Sequence, residues 1–197
     1  MNAKRLSRGR LAVLAATALA GLVTASGHAQ QAPVTVNERS VYQLESQWTT
    51  DAGRTLKLAE LGGHYQIVAF IFTHCAGACP LLVKSLQLQA RSMPAQIRER
   101  ARFLLVSIDP EQDTVPALQR YRKTMSIDEQ WTLLRGNDSD LRELTAVLGF
   151  NYERMPNGQF AHSNLITLLD PSGEIVLQQP SADDALLAIG SVLGRSH

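Results

Sequence analysis

Ile67-Val68-Ala69-Phe70-Ile71-Phe72-Thr73-His74-Cys75-Ala76-Gly77-Ala78-Cys79-Pro80 is the stretch on which the fold of this 197-residue chain turns. Its first six residues are apolar without interruption, the pattern of a strand covered on both faces rather than half exposed to water. Pro80 suits the first turn of a helix, where its missing N–H has no partner to lose. Leu82, Val83, Leu86 and Leu88 then supply a packing face for a helix over 81–91. A buried strand running through a short loop into a helix is a βα unit. Its loop lies at the carboxyl end of the strand, where open α/β sheets carry their sites.

Working outward, 103–108 repeats the buried-strand pattern and Asp109-Pro110 ends it. Thr114 is placed to cap a helix over 115–125, 131–134 reads as a third strand, and a helix over 138–148 stops at Gly149. Strands at 164–169 and 174–178 are joined by Asp170-Pro171-Ser172-Gly173, with Pro and Gly where a type I turn wants them. Ser181 caps a last helix over 182–193. Upstream, 42–58 reads as a β-hairpin turning at Asp51-Ala52-Gly53, and Gly62-Gly63 breaks the chain before the central strand. Strands alternating with helices imply a parallel core, and the closing hairpin makes it mixed. The expected fold is α/β and thioredoxin-like: a mixed central sheet flanked by helices, with an N-terminal β-hairpin, in one domain over 41–197.

Composition narrows the function. The net charge is +1, charged residues make up 19% and aromatic residues 6%, so there is neither a basic footprint nor a set of stacking platforms for nucleic acid. Lys4, Arg5, Arg8 and Arg10 precede the uncharged run 11–23, and Gly27-His28-Ala29 offers small residues before Gln30. This is the pattern of a signal peptide over 1–29. The run is too short for the roughly 20 residues that span a bilayer, which favours cleavage over a permanent anchor. The expectation is export to the periplasm, a flexible tail over 30–40, no stable membrane span after cleavage, and a monomer. Cleavage would move the net charge from +1 to −3.

Both cysteines, Cys75 and Cys79, survive that cleavage into an oxidising compartment where disulfides persist. A bridge across so short a loop contributes only about 2 kcal/mol by loop closure, so stability alone is a poor reason for the pair. Pro80 disfavours helical backbone at Cys79, which puts the pair on a turn. The adjoining helix N-terminus would favour thiolate at Cys79. Two readings of the pair remain, thiol–disulfide exchange and a soft-metal site, since two thiolates select copper(I), zinc or iron–sulfur. Copper(II) would want a nitrogen ligand as well. His28 leaves with the signal, His197 is terminal, and His64 sits in a Gly-Gly-His loop that reads as solvated. His74 adjoins Cys75 and is awkwardly placed to share its metal. His162 would face the cysteine turn if the strand at 164–169 pairs beside 67–72. Asp109, Glu111 and Asp113 read as strand-end and helix-start residues, and 98–102 as a solvated basic face.

Thr73-His74-Cys75-(three residues)-Cys79-Pro80, Ser107-Ile108-Asp109-Pro110 with Asp113-Thr114, His162 before a strand, and Asp170-Pro171-Ser172-Gly173 together resemble the SCO/SenC family, from about Tyr42 to Leu193. The resemblance implies a thioredoxin-like copper protein in which Cys75, Cys79 and His162 bind copper, as copper(I) or copper(II). It also implies a partner: the copper-site subunit of cytochrome c oxidase, whose dinuclear centre such proteins help assemble, or another copper or thiol protein. The chain departs from the family's usual pattern at Ala76, at Leu81-Leu82 where acidic residues are common, and at Ala161 where an Asp commonly precedes the histidine. Copper delivery, or upkeep of the client's thiols, is the leading expectation. A thiol–disulfide oxidoreductase using Cys75 and Cys79 as its catalytic pair is the alternative. No cis-proline position directly precedes the strand after Ala161-His162-Ser163, the nearest proline being Pro156. The Thr-x-x-Cys context of a peroxidase is absent.

Overall fold

The computed structural model describes residues 37–195. The export segment 1–29, most of the tail, His28 and His197 therefore lie outside the described residues. Ser40, within the stretch read as tail, is buried; its hydroxyl donates to the Ser172 carbonyl at 2.5 Å, and the Val41 amide donates to Gly173.

The described chain runs β1 (Gln47–Thr50), β2 (Thr55–Lys57), β3 (Tyr65–Ile71), α1 (Ala78–Ser92), α2 (Ala95–Arg100), β4 (Ala101–Ser107), α3 (Val115–Met125), β5 (Trp131–Arg135), α4 (Asp138–Leu148), β6 (Tyr152–Arg154), β7 (Phe160–His162), β8 (Ile166–Leu169), β9 (Ile175–Gln179) and α5 (Ala182–Arg195). Seven strands form one sheet in the order β2-β1-β5-β4-β3-β8-β9; β6 and β7 make a separate hairpin. The pairs β3–β4 and β4–β5 are parallel, whereas β1–β5, β3–β8 and β8–β9 are antiparallel. The sheet is mixed, as the order of elements predicts.

The apolar runs are in the centre because only there are both faces covered. Ile67, Val68, Ala69, Phe70, Ile71 and Phe72 are all buried, as are Phe103 to Val106 beside them. Phe103 also stacks on Trp131 with ring centres 4.1 Å apart. The termini of α3 and α4 follow their capping residues: Thr114 accepts from Ala117 N–H, Asn137 from Asp140 N–H, and Gly149 closes α4 at φ +67°.

Three local readings need correction. The helix after the cysteines starts at Ala78, not after Pro80, so Cys79 is in its first turn; first-turn N–H groups have no intrahelical partner, and Pro80 costs nothing there. The basic stretch 98–102 is not merely solvated. It includes the end of α2, Arg100 donates to the Leu193 carbonyl at 2.8 Å and lies over the Tyr65 ring, and Arg102 contacts His64. The β6–β7 hairpin has no counterpart in the sequence reading.

The placement of β8 beside β3 decides where His162 falls. Ala69 pairs with Ile166 and Gln66 with Leu169, so the start of β8 lies toward the carboxyl end of β3. The β8–β9 turn that holds this hairpin closes on Gly173, at φ +87°, where an added Cβ would come within 2.6 Å of Tyr42 and Ser40 side-chain atoms. Gly173→Ala should therefore lower stability by about 2 kcal/mol or more, combining backbone strain with a clash. A shift of the urea midpoint by less than a quarter of that would contradict this reading of the turn.

Candidate metal centre

Phe72 anchors the site from below. It is the first residue past β3, fully buried, and its carbonyl accepts from the Cys75 amide at 3.2 Å, closing a turn that throws Cys75 to the surface. Asp113 fixes the same turn from the side. Its carboxylate is completely buried; it takes the Thr73 amide at 3.1 and 3.2 Å, the Thr73 hydroxyl at 2.6 Å and the Ser107 hydroxyl at 2.5 Å. Arg135 in turn donates to the Asp113 and Pro110 carbonyls. Burial pushes the Asp113 carboxyl upward against these hydrogen bonds, which pull it down. The sequence reading gave Asp113 no role beyond the helix start. The structure corrects this: the helix is capped by Thr114, while Asp113 ties the end of β4 to the cysteine loop.

The two sulfurs are brought together as free thiols. The Cys79 amide, in the first turn of α1, points at Cys75 Sγ from 3.3 Å. Cys75 is half-buried and Cys79 is 1% exposed. Burial alone would raise the Cys75 thiol, but the backbone amides of Cys79, Gly77 and Ala78 and the Cys79 thiol hold it below its ordinary value. For Cys79, burial dominates; with Cys75 and Asp113 nearby, it is pushed up to about 12 despite the Phe72 amide. This reverses the expectation of a thiolate at Cys79. The positive end of the helix does favour a thiolate, but its N–H groups are aimed at Cys75 Sγ, and Cys79 lies beneath them, buried.

His162 ends β7. Phe160 and His162, two residues apart and so on one face of the strand, both pack edge-on against Phe72, with ring centres 5.1 and 6.2 Å away. Phe150 covers the imidazole from its other face, 5.9 Å between centres. The His162 Nδ1 lies 2.9 Å from the Ser163 carbonyl. A carbonyl only accepts, so Nδ1 carries the hydrogen and Nε2 keeps the lone pair a metal needs. The hairpin is latched by Arg154, which donates to buried Asp109 at 2.6 Å, reaches Glu111 at 3.3 Å and lies over the Phe160 ring. Ala161 has Glu153 as its cross-strand partner, so a carboxylate remains on that face of the hairpin although position 161 lacks one.

The other histidines are placed differently. His74 is exposed, with Nδ1 at 3.3 Å from the Thr73 hydroxyl and 3.8 Å from Asp113. His64 precedes β3 at its opposite end, about 20 Å from the cysteines by strand length. It is half-buried rather than solvated, and burial and the Arg102 charge lower its pKa. Among the described residues no three His, Cys, Asp or Glu side chains already converge on a metal-sized space. The structure thus brings Cys75 and Cys79 together and stands His162 on the same aromatic base, without closing a three-donor set. Asp113, Phe72 and the Arg154–Asp109 latch were not found by sequence reasoning; the Asp113-Thr114 pair within the quoted motif was the available signal.

A protein of Stutzerimonas stutzeri named for copper binding is 28% identical over 142 residues, 70% of this chain and 68% of its own length. The mitochondrial SCO2 homologue of Bos taurus is 26% identical over 153 residues, 75% of this chain but only 57% of that protein. The crystal structure of Arabidopsis thaliana ScoI with copper bound superposes with a TM-score of 0.66 at 21% identity, covering 77% of this chain and 97% of that one, which shows the thioredoxin-like fold. The family profile described as SCO1/SenC matches residues 35–192, most of the chain, and this protein belongs to that family.

Proposed function

We propose that this chain is an exported copper carrier that takes copper(I) on Cys75 and Cys79 and copper(II) with His162 added. It would deliver the metal to the dinuclear copper site of cytochrome c oxidase, or keep that site's thiols reduced. The observation that carries the reading is the donor set built around Phe72: two free cysteines on one turn, the Cys79 amide at 3.3 Å from Cys75 Sγ, and an imidazole whose Nε2 is left free by the Nδ1–Ser163 hydrogen bond. Two soft donors suffice for copper(I), whereas copper(II) needs nitrogen. Because the three donors do not yet converge, loading would draw the cysteine loop and β7 together. Among the described residues no helix is long and apolar enough to cross a membrane.

His162→Ala should abolish the thiolate-to-copper(II) charge-transfer band while weakened copper(I) binding survives. An unchanged copper(II) spectrum would remove the histidine from the site. His74→Ala should alter that spectrum far less, because its ring would have to fold back over its own neighbour to reach the ion.

The asymmetry of the two thiols favours a second reading, reduction of a partner disulfide. The half-buried Cys75, as the more accessible thiolate of the two, would attack one partner sulfur and expel the other as a thiolate. Cys79, giving up its proton, would then attack Cys75 Sγ, release the first partner sulfur and leave Cys75–Cys79 oxidised by two electrons.

A further inference from the structure

His162 is carried by a ribbon that stands apart from the main sheet. Strands β6 and β7 pair only with each other, and β8 begins only at Ile166. Apolar contacts press this ribbon down: Phe160 and His162 lie on Phe72, and Phe150 lies on His162. Apolar burial is non-directional and fixes no sideways position. Among the described residues, the side-chain hydrogen bonds and ion pairs that run from 152–162 to segments distant in sequence all belong to Arg154. Its guanidinium donates to Asp109 at 2.6 Å, reaches Glu111 at 3.3 Å and lies 4.8 Å over the Phe160 ring. The two carboxylates are unequal. Glu111 is exposed, so water and salt screen it. Asp109 is 2% exposed, and a buried charge needs a partner.

Asp109 stands on the same frame as the cysteine loop. Its amide donates to Ser107 Oγ at 3.0 Å, and Ser107 Oγ donates to Asp113 at 2.5 Å. Asp113 in turn takes the amide and the hydroxyl of Thr73. Two buried acids just past the end of β4 therefore hold two different segments. Asp113 holds the loop with Cys75 and Cys79; Asp109, through Arg154, holds the hairpin with His162.

We propose that the Arg154–Asp109 pair sets the position of the His162 imidazole relative to the two sulfurs, and with it the protein's preference between copper(II) and copper(I). Arg154 and Asp109 are positioning residues: they act through Phe160 and the strand that carries His162, not on the ion. This rests on the reading of Cys75, Cys79 and His162 as the copper donors and adds what fixes their spacing. The consequence is selective. Copper(I) is satisfied by two sulfurs that the hairpin does not carry, whereas copper(II) needs nitrogen, and affinity falls when a ligand loses the groups that orient it.

The test replaces Arg154 in the full chain and measures both copper ions against chelators of known affinity. In Arg154→Met, copper(II) affinity should fall about 10–100-fold, while copper(I) affinity should stay within about twofold of wild type. Arg154→Lys should recover part of the loss, since an ammonium can pair with Asp109 but cannot bridge both carboxylates while lying flat on Phe160. Glu111→Gln should change little. Asp109→Asn should match Arg154→Met, and the double variant should be no worse than either single one, as for one shared interaction. The double variant also removes the unpaired buried carboxylate that Arg154→Met leaves, so a folding defect in that variant does not obscure the outcome. A second readout needs no metal. In the copper-free protein the amides of 152–162 should exchange hydrogen about tenfold faster in Arg154→Met, with those of β3 and β4 unchanged. Copper(II) and copper(I) affinities that fall together, or hairpin exchange equal to wild type, would overturn the proposal. A copper(II) band lost in His162→Ala yet unmoved in Arg154→Met would also overturn it and leave the carrier reading standing. A band unmoved in His162→Ala is the failure of that reading itself.

Discussion

At neutral pH, a thiol-alkylating reagent should modify Cys75 and spare Cys79 by about three orders of magnitude. Alkylation goes through the thiolate. An ordinary cysteine ionises around pH 9 and burial pushes Cys79 up to about 12, so its thiolate fraction is roughly a thousandfold below that of an ordinary cysteine. Cys75 lies below the ordinary value because the first-turn amides of α1 and the Cys79 amide face its sulfur. Steric access acts in the same direction, since Cys79 is 1% exposed. Mass mapping after a short exposure to iodoacetamide should find the adduct on Cys75 alone. Any Cys79 adduct should grow about tenfold per pH unit, as its thiolate fraction does. The same asymmetry has a sign in stability. The folded state holds the Cys79 proton more tightly than the unfolded chain does. That contribution is complete below pH 9 and drains away from 9 toward 12, by at most about 1.4 kcal/mol per pH unit. Cys75 works oppositely, its contribution being present above its unfolded value and lost as pH falls through the folded one. Equal alkylation of both cysteines in the folded protein would mean that the loop does not shelter Cys79.

What the sequence made legible is what local pattern determines. Six consecutive apolar residues running into a loop read as a strand with both faces covered, and Thr114 and Gly149 act on backbone groups within their own helices; Asn137, which caps α4, went unread. The β8–β9 hairpin is readable from Pro171 and Gly173, and its pairing beside β3, together with the family resemblance, points to His162. The remainder depends on contacts distant in sequence. Tyr152–Arg154 and Phe160–His162 are three-residue strands, too short to show alternation and held by Phe72 and Asp109 from elsewhere in the chain. Asp113 looks like any acid at a helix start until the fold puts Thr73 and Ser107 around it. The assignment of the reactive thiol failed for a similar reason. The helix N-terminus was visible in the sequence, but which sulfur its amides face, and which one the core swallows, is a property of the packed loop.

Cys79→Ser should separate the two chemistries that this pair supports, and its effect on copper should be the largest of any single substitution. Copper(I) is held at low coordination by soft donors, and serine oxygen is a hard one. Removing one of two sulfurs should therefore cost more than the 10–100-fold typical of losing a partner outside the ligand set. The copper(II) band should go with it, as in His162→Ala, but in that variant copper(I) binding persists, so the pair of variants distinguishes sulfur from nitrogen loss. Thiol exchange should respond in the opposite manner. Cys75 keeps its surface position, its turn onto Phe72 and the amides that favour its thiolate, so it should still attack a disulfide. What is lost is the second sulfur, 3.3 Å from whose amide Cys75 Sγ rests; without it the mixed disulfide has no internal thiol to resolve it and should accumulate. Competition with a copper(I) chelator of known affinity and mass measurement of the trapped adduct read the two effects independently. Copper(I) affinity preserved in Cys79→Ser would show that the metal is held by donors other than this pair.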